Sequence, residues 1–108
     1  MYVGEYLNGE KNGKGKKYNV NGKLEFEGEY LNGERSGFGK EYYNNGKLKF
    51  EGSYLNGKRN GKGKEYYLKY GNIKYQGEYV NGKKEGKGKE YYFGKLIFKG
   101  DYLNGERI

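Results

Sequence analysis

Phe50-Glu51-Gly52-Ser53-Tyr54-Leu55-Asn56-Gly57 is the stretch that decides how this chain folds. Its aromatic and glycine residues alternate with polar ones, which is the period-two pattern of a half-buried β-strand. Asn56-Gly57 then provides a hairpin turn, because both residue types tolerate positive φ. A second strand is predicted over residues 61–67, which begin with the pair Gly61 and Gly63. The stretch therefore predicts one β-hairpin.

Close copies of this hairpin begin at regular intervals along the chain. The intervals between successive copies are 24, 24, 25 and 23 residues. A residue gained near Tyr70-Gly71-Asn72 and one lost near Phe93-Gly94-Lys95 explain the unequal spacing, and both changes lie at predicted turns, where length is tolerated. We predict one repeat domain, residues 1–108, made of repeats 4–27, 28–51, 52–76, 77–99 and a partial repeat 100–108.

The composition fits an array of hairpins and excludes a helical fold. The chain has 22 glycines among its 108 residues, and no apolar stripe has the 3.6-residue period of a helix. Because each repeat supplies two antiparallel strands, successive repeats are expected to continue one sheet. We predict an all-β fold, an elongated single-layer antiparallel sheet of tandem β-hairpins that forms an open, twisted, solenoid-like array about 40–45 Å long.

Aromatic residues recur in columns on one predicted face of the sheet. Gly-x-Gly pairs on the neighbouring strands would leave holes that these rings cover, so that the rings form a thin core. Strict alternation places Glu41, Glu65 and Glu90 on the same face, and we therefore expect a bulge or register change before the Tyr-Tyr pair that follows each of them. The aromatic columns are Tyr6, Tyr30, Tyr54, Tyr79 and Tyr102, and Phe26, Phe50, Tyr75 and Phe98.

The segment Phe50–Gly63 resembles the MORN repeat, and four complete copies and one partial copy extend the resemblance over nearly the whole chain. The period here is nearer 24 residues, and a Tyr-Tyr pair such as Tyr66-Tyr67 follows Gly-x-Gly. In this the chain is more similar to the variant MORN-like repeats of bacterial proteins, including antitoxin-like ones. The resemblance implies a twisted sheet with a groove and a binding or scaffolding module without a catalytic motif. Family members are proposed to engage protein helices, copies of themselves or phosphoinositide membranes.

On this resemblance we expect a non-enzymatic scaffold that binds a partner protein, such as a helix, in an aromatic groove. Tyrosine favours interfaces because it gives a large contact area at low entropic cost. Aliphatic residues near the turns, such as Leu31 and Leu55, add to this interpretation, since alternation directs them to the opposite face. The predicted contact residues are Tyr30, Tyr54, Tyr79, Phe50, Tyr75, Tyr43, Tyr67 and Tyr92.

A peripheral membrane adaptor is the alternative. The chain carries 22 Lys+Arg against 14 Asp+Glu, a net charge of +8, and its basic residues align in columns. Such columns attract acidic phospholipid headgroups, although lysines also keep a sheet soluble and its edges unpaired. Nucleic acid is the least favoured partner, since no nucleic-acid-binding motif is present. The predicted lipid contacts are Lys16, Lys40, Lys64, Lys89, Lys58, Arg59, Lys83 and Lys84.

Catalysis and metal binding have no support in the sequence. The chain contains no histidine and no cysteine, which removes the commonest general base, the thiol nucleophile and the commonest metal ligands. Ser36 and Ser53 are the only serines, and neither has a histidine to activate it. We predict no enzyme activity, no catalytic residue, no metal site and no cofactor.

Two further expectations concern the strand edges and the cellular location. The strand predicted over Met1–Leu7 would have one unpaired edge, and the partial repeat 100–108 lacks its returning strand. Edge-mediated self-association or membership of a longer array is therefore expected. No apolar run approaches the length of a membrane span, and the N-terminus has no signal-peptide pattern. We predict a cytoplasmic protein, with membrane association in the adaptor alternative.

Overall fold

The computed structural model describes all 108 residues, Met1–Ile108. They form one ten-stranded antiparallel sheet in which the spatial order of the strands equals their order along the chain. This confirms the predicted all-β array of hairpins, and the longest dimension of 45 Å matches the expected length. No helix of this structure has the length and apolarity needed to span a membrane. The strands are β1 (Tyr2–Leu7), β2 (Glu10–Tyr18), β3 (Leu24–Leu31), β4 (Glu34–Tyr42), β5 (Leu48–Leu55), β6 (Lys58–Tyr66), β7 (Ile73–Val80), β8 (Lys83–Tyr92), β9 (Lys95–Leu103) and β10 (Glu106–Arg107).

The two residues Asn-Gly, both at positive φ, form the turn of the hairpin within each repeat. In the turn between β5 and β6, Asn56 has a φ of 51° and Gly57 has a φ of 82°. These values are typical of a type I′ turn, whose twist matches that of the flanking strands. Because the turn consists of only these two residues, β6 begins directly after it at Lys58 and not at the predicted Gly61.

The core is a single layer of rings that lie over a row of glycines. Gly39 of β4 lies opposite Gly28 of β3 on one side and opposite Gly52 of β5 on the other. A Cβ atom at Gly39 would lie 2.5 Å from Cζ of Phe26, so the ring occupies the space that a side chain would take. This confirms that rings cover strand glycines. The buried core residues are Phe26, Tyr30, Phe50, Tyr54, Tyr75, Tyr79 and Tyr102.

The first glycine of each Gly-x-Gly pair has a different role from the second. Gly37 has a φ of 80°, and it lies where the register between β3 and β4 shifts. A residue with a Cβ atom rarely adopts this conformation. Both glycines of a pair were expected beneath rings, but only the second lies there, because the first provides the backbone conformation of a bulge.

The register shifts expected before the Tyr-Tyr pairs are present. They lie directly after Glu41, Glu65 and Glu90. The shifts do not remove these carboxylates from the face that carries the rings, since the hydroxyl of Tyr54 donates a hydrogen bond to Glu41 and that of Tyr79 donates one to Glu65. Buried phenols require acceptors, and the glutamates supply them.

Candidate functional site

Five of the eight aromatic residues predicted to contact a partner belong to the core. Rings of successive repeats meet edge to face across the intervening strand, with centroid distances of 5.3 Å for Phe26 and Tyr54 and for Phe50 and Tyr79. The face that carries them is therefore packed and is not an open aromatic groove. A ring at this depth stabilises the fold and offers almost no surface to a partner. The five residues are Tyr30, Phe50, Tyr54, Tyr75 and Tyr79, all at most 6% exposed.

Basic side chains lie over the faces of the core rings. The guanidinium carbon of Arg59 is 4.0 Å from the ring centroid of Phe50, and Nζ of Lys84 is 4.6 Å from that of Tyr75. These are cation–π contacts. The sequence predicts lipid contacts at Arg59 and Lys84, but in the structure both side chains are engaged with the aromatic core.

Arg59 also holds the Glu41 carboxylate in a bidentate ion pair, with N–O distances of 3.1 Å and 3.2 Å. Burial raises the pKa of the Glu41 carboxyl, but the hydrogen bonds from Arg59 and Tyr54 outweigh burial and hold that pKa below its usual value. Burial and the hydrogen bond to Glu41 raise the pKa of the Tyr54 hydroxyl. This network is therefore ionised at the glutamate and neutral at the tyrosine, which suits a structural role.

The other predicted lipid contacts lie on the sheet face opposite the rings, which we call the polar face, and beside the hairpin turns. Lys58 and Lys83 directly follow two of these turns. Because side chains alternate along a strand, Lys58 and its neighbour Arg59 point to opposite faces. One flat surface therefore cannot contact all eight predicted residues. Those on the polar face are Lys16, Lys40, Lys64 and Lys89.

An exposed aromatic cluster lies at the turns that connect β6 to β7 and β8 to β9. The rings of Tyr92 and Phe93 are 4.5 Å apart between centroids, and those of Tyr70 and Phe93 are 5.7 Å apart. Tyr67 joins the group through Tyr92, at 6.2 Å. A depression of about 280 Å³ lies among these side chains. We call this group the turn cluster; its members are Tyr67, Leu68, Tyr70, Tyr92 and Phe93.

Phe93 has an unusual backbone conformation for an aromatic residue. Phe93-Gly94 is a two-residue turn in which Phe93 has a φ of 49°. Asparagine occupies the corresponding position in every other turn of this kind in the chain, as at Asn56. A bulky residue at positive φ is a strained exception, and such strain concentrates at functional sites.

Hydrogen bonds between repeats position the tyrosines of this edge. The hydroxyl of Tyr67 donates to the backbone carbonyl of Tyr91 at 2.9 Å. One repeat earlier, the hydroxyl of Tyr43 donates to the backbone carbonyl of Tyr66 at 2.7 Å. Tyr43 is half-buried and lies outside the turn cluster. The structure thus places two of the predicted contact residues, the half-buried Tyr67 and the exposed Tyr92, in the turn cluster.

Sequence reasoning missed three members of the turn cluster, namely Leu68, Tyr70 and Phe93. Their exposed fractions are 53%, 59% and 58%. The signal was available, because they lie where the repeat gains and loses a residue and where phenylalanine stands in an Asn-Gly turn. The regular columns of the repeat do not include these three residues, because they lie where the repeat is broken.

The turn cluster suits non-covalent binding. It presents aromatic and aliphatic surface, and Nζ of Lys69 and Lys74 lie 5.4 Å and 5.7 Å from the rings of Tyr70 and Tyr67. Nowhere in the structure do three or more His, Cys, Asp or Glu side chains form a group that could hold a metal ion. The exposed rings with ammonium groups beside them can accommodate an apolar anchor flanked by carboxylates.

The fold defines the class of this protein as an open array of tandem β-hairpins. The family model for the MORN repeat matches residues 2–24, 26–47, 50–69 and 75–95. These matches cover more than half of the chain, and the chain therefore belongs to the MORN repeat family. MORN repeats are commonly protein- or membrane-interaction modules and are generally non-enzymatic. No curated protein matches the chain.

Proposed function

We propose that this chain is a non-enzymatic scaffold module that binds a partner protein through the turn cluster. The observation that carries the proposal is Phe93, an apolar residue that is 58% exposed and stands at positive φ. The backbone strain costs about 1–2 kcal/mol, and the exposed ring recovers little of it through burial. Folding alone therefore gives no reason for phenylalanine at this position, whereas contact with a partner does.

The chemistry of the turn cluster favours a partner with an apolar anchor side chain. Its depression of about 280 Å³ is near the lower limit of typical ligand pockets and has room for a large side chain of another protein. Aromatic residues are enriched at the centres of protein interfaces, where they supply much of the binding free energy. Lys69 and Lys74 would attract carboxylates around such an anchor.

The test is capture of partner proteins by the immobilised chain, followed by mass spectrometry, with wild type and Phe93→Asn compared. This substitution restores the Asn-Gly turn found elsewhere in the array, so the stability should stay within about 1 kcal/mol of wild type. We expect specifically captured proteins to be lost from Phe93→Asn. The matched control is Val20→Asn, because Val20 is fully exposed at another turn between repeats and lies outside the turn cluster.

The expected pattern is capture by wild type and by Val20→Asn, and none by Phe93→Asn. Equal capture by all three chains would contradict a binding role for the turn cluster. Urea unfolding of each variant shows whether any loss of capture reflects unfolding.

A second candidate, a membrane adaptor, is supported by the hairpin turns. Leu55 and Val80 are 52% and 49% exposed, and each lies opposite a lysine, Lys58 and Lys83 respectively. Apolar residues beside lysines favour the interface of an anionic bilayer. Co-sedimentation with vesicles of phosphatidylcholine and phosphatidylserine tests it, and Leu55→Ser with Val80→Ser should abolish it. If wild type does not sediment with these vesicles at low salt, this candidate fails.

A further inference from the structure

Charged side chains alternate in sign along one row that crosses the polar face. In this row, opposite charges face each other across the strands, which stabilises a sheet. Every lysine in the part of the row from β2 to β6 has a carboxylate opposite it on an adjacent strand. The successive register partners are Lys16, Glu27, Lys40, Glu51 and Lys64.

The alternation ends at β7. Gln76 follows Lys64 in the row, at the position that Glu51 holds one repeat earlier. Lys89 lies opposite Gln76 on one side and opposite Lys99 on the other. Like charges directly opposite each other destabilise a sheet, so sheet stability gives no reason for this arrangement.

A depression of about 440 Å³ lies on the polar face at this end of the row. The backbone of Gly88 and Gly100 forms part of its floor, and no hydrophobic side chain lines the depression. Nζ of Lys87 lies 4.0 Å from Asp101, whereas Lys89 and Lys99 form no ion pair. Two exposed lysines without an ion-pair partner therefore lie beside this depression.

We propose that this depression, which is lined by Lys89 and Lys99, binds an acidic segment of a partner protein, rich in aspartate and glutamate. Charge complementarity identifies the occupant, since carboxylates supply the counter-charge that the row lacks. An extended segment can enter a depression between side chains, which a planar bilayer surface cannot. The depression has no ring on which a nucleic-acid base could stack. This site is separate from the turn cluster and does not depend on it.

The test measures binding of a fluorescein-labelled poly-glutamate peptide by fluorescence anisotropy at low salt. Lys89→Gln with Lys99→Gln removes two charges from the uncompensated part of the row. The matched control, Lys16→Gln with Lys40→Gln, removes two charges from the compensated part, so both variants have the same net charge. We expect the first pair to weaken binding about tenfold or more and the control to weaken it less than about threefold. Gln76→Glu, which restores the alternation, should also weaken binding.

Three outcomes would overturn the proposal. In the first, wild type does not bind the peptide. In the second, the two double variants lose affinity equally, which would assign binding to net charge. In the third outcome, vesicles of phosphatidylcholine and phosphatidylserine bind and the peptide does not, which would assign the lysines to a membrane. Phe93→Asn should bind the peptide as wild type does, so failure of this proposal and failure of partner binding at the turn cluster are distinguishable.

Discussion

A phenol buried against other rings needs a hydrogen-bond acceptor, and for Tyr54, Tyr79 and Tyr102 a glutamate from the preceding repeat supplies it. The hydroxyls of Tyr54 and Tyr102 donate to Glu41 and Glu90 respectively. In the first repeat this position is held by Lys17, which forms an ion pair with Glu25 at 3.2 Å instead. Tyr30, whose acceptor is thus missing, is the least buried of the seven core residues.

Acid should weaken the fold through these glutamates. The hydrogen bond from Arg107 lowers the pKa of Glu90 from its ordinary value of 4.5 to about 2. A pKa that is lower in the folded state means that the ionised glutamate stabilises the fold above about pH 4.5, and that this contribution is lost as pH falls towards 2. We expect the urea midpoint of wild type to decrease over this range.

Glu90→Gln is the control for the acid effect, because glutamine keeps an acceptor for Tyr102 but cannot titrate. Its midpoint should be lower than that of wild type at neutral pH and should depend less on pH between 4.5 and 2. Identical pH dependence in both chains would show that Glu90 does not contribute to acid sensitivity.

At the scale of the element, each hairpin is joined to the preceding one at its turn. The backbone N–H of Gly57 donates to the carbonyl of Arg35 at 3.0 Å, and that of Gly82 donates to the carbonyl of Arg59 at 2.8 Å. The carbonyl acceptors belong to residues whose side chains lie over the core rings. The hydrogen bond at each of these turns therefore also fixes the backbone of an arginine whose guanidinium lies over a core ring.

Two glycine substitutions separate packing from backbone conformation. In Gly39→Ala the new Cβ would lie 2.5 Å from Phe26 and 3.1 Å from Tyr54, both buried rings, and we expect a loss of about 3 kcal/mol in the free energy of unfolding. Gly46→Ala meets no atom within 4 Å but has a φ of 85°, so it should cost about 1 kcal/mol. Urea unfolding measures both. A cost for Gly39→Ala no greater than that for Gly46→Ala would contradict the role of the glycine row.

At the scale of the whole molecule, the array is extended and its strands pair only with neighbours in sequence. The dimensions are 45 × 27 × 16 Å, and the Cα radius of gyration is 14.8 Å. A compact domain of this length has a radius of gyration of about 13 Å. Stability in such an array is close to a sum of repeat and nearest-neighbour contributions.

Deletion of a complete repeat should therefore be tolerated better than deletion of half a repeat. Removing residues 52–76 joins Glu51 to Gly77, which reproduces the Glu-Gly sequence between earlier repeats, and we expect a folded chain with a lower melting temperature. Removing residues 52–63 deletes the second half of β5, the turn and most of β6, so that the remaining residues cannot form a hairpin. This deletion should abolish the cooperative transition. Circular dichroism on heating measures both, and equal melting temperatures would rule out the additive description.

Much of this protein could be predicted from its sequence, because the interactions that form it are local and repeated. Asn56-Gly57 determines a hairpin turn by its own backbone preferences, and a ring two residues from a strand glycine determines a ring-over-glycine core in every repeat. The family, the sheet and its length follow from these. Tertiary structure decided which rings are buried, because burial depends on cross-strand register and on cations such as Arg59. It also decided two placements that the repeat pattern does not give: the exposed ring of Phe93 lies beside Tyr70 of the preceding repeat because their turns are at the same edge of the sheet, and Lys89 lies opposite Lys99 because of the register between β8 and β9.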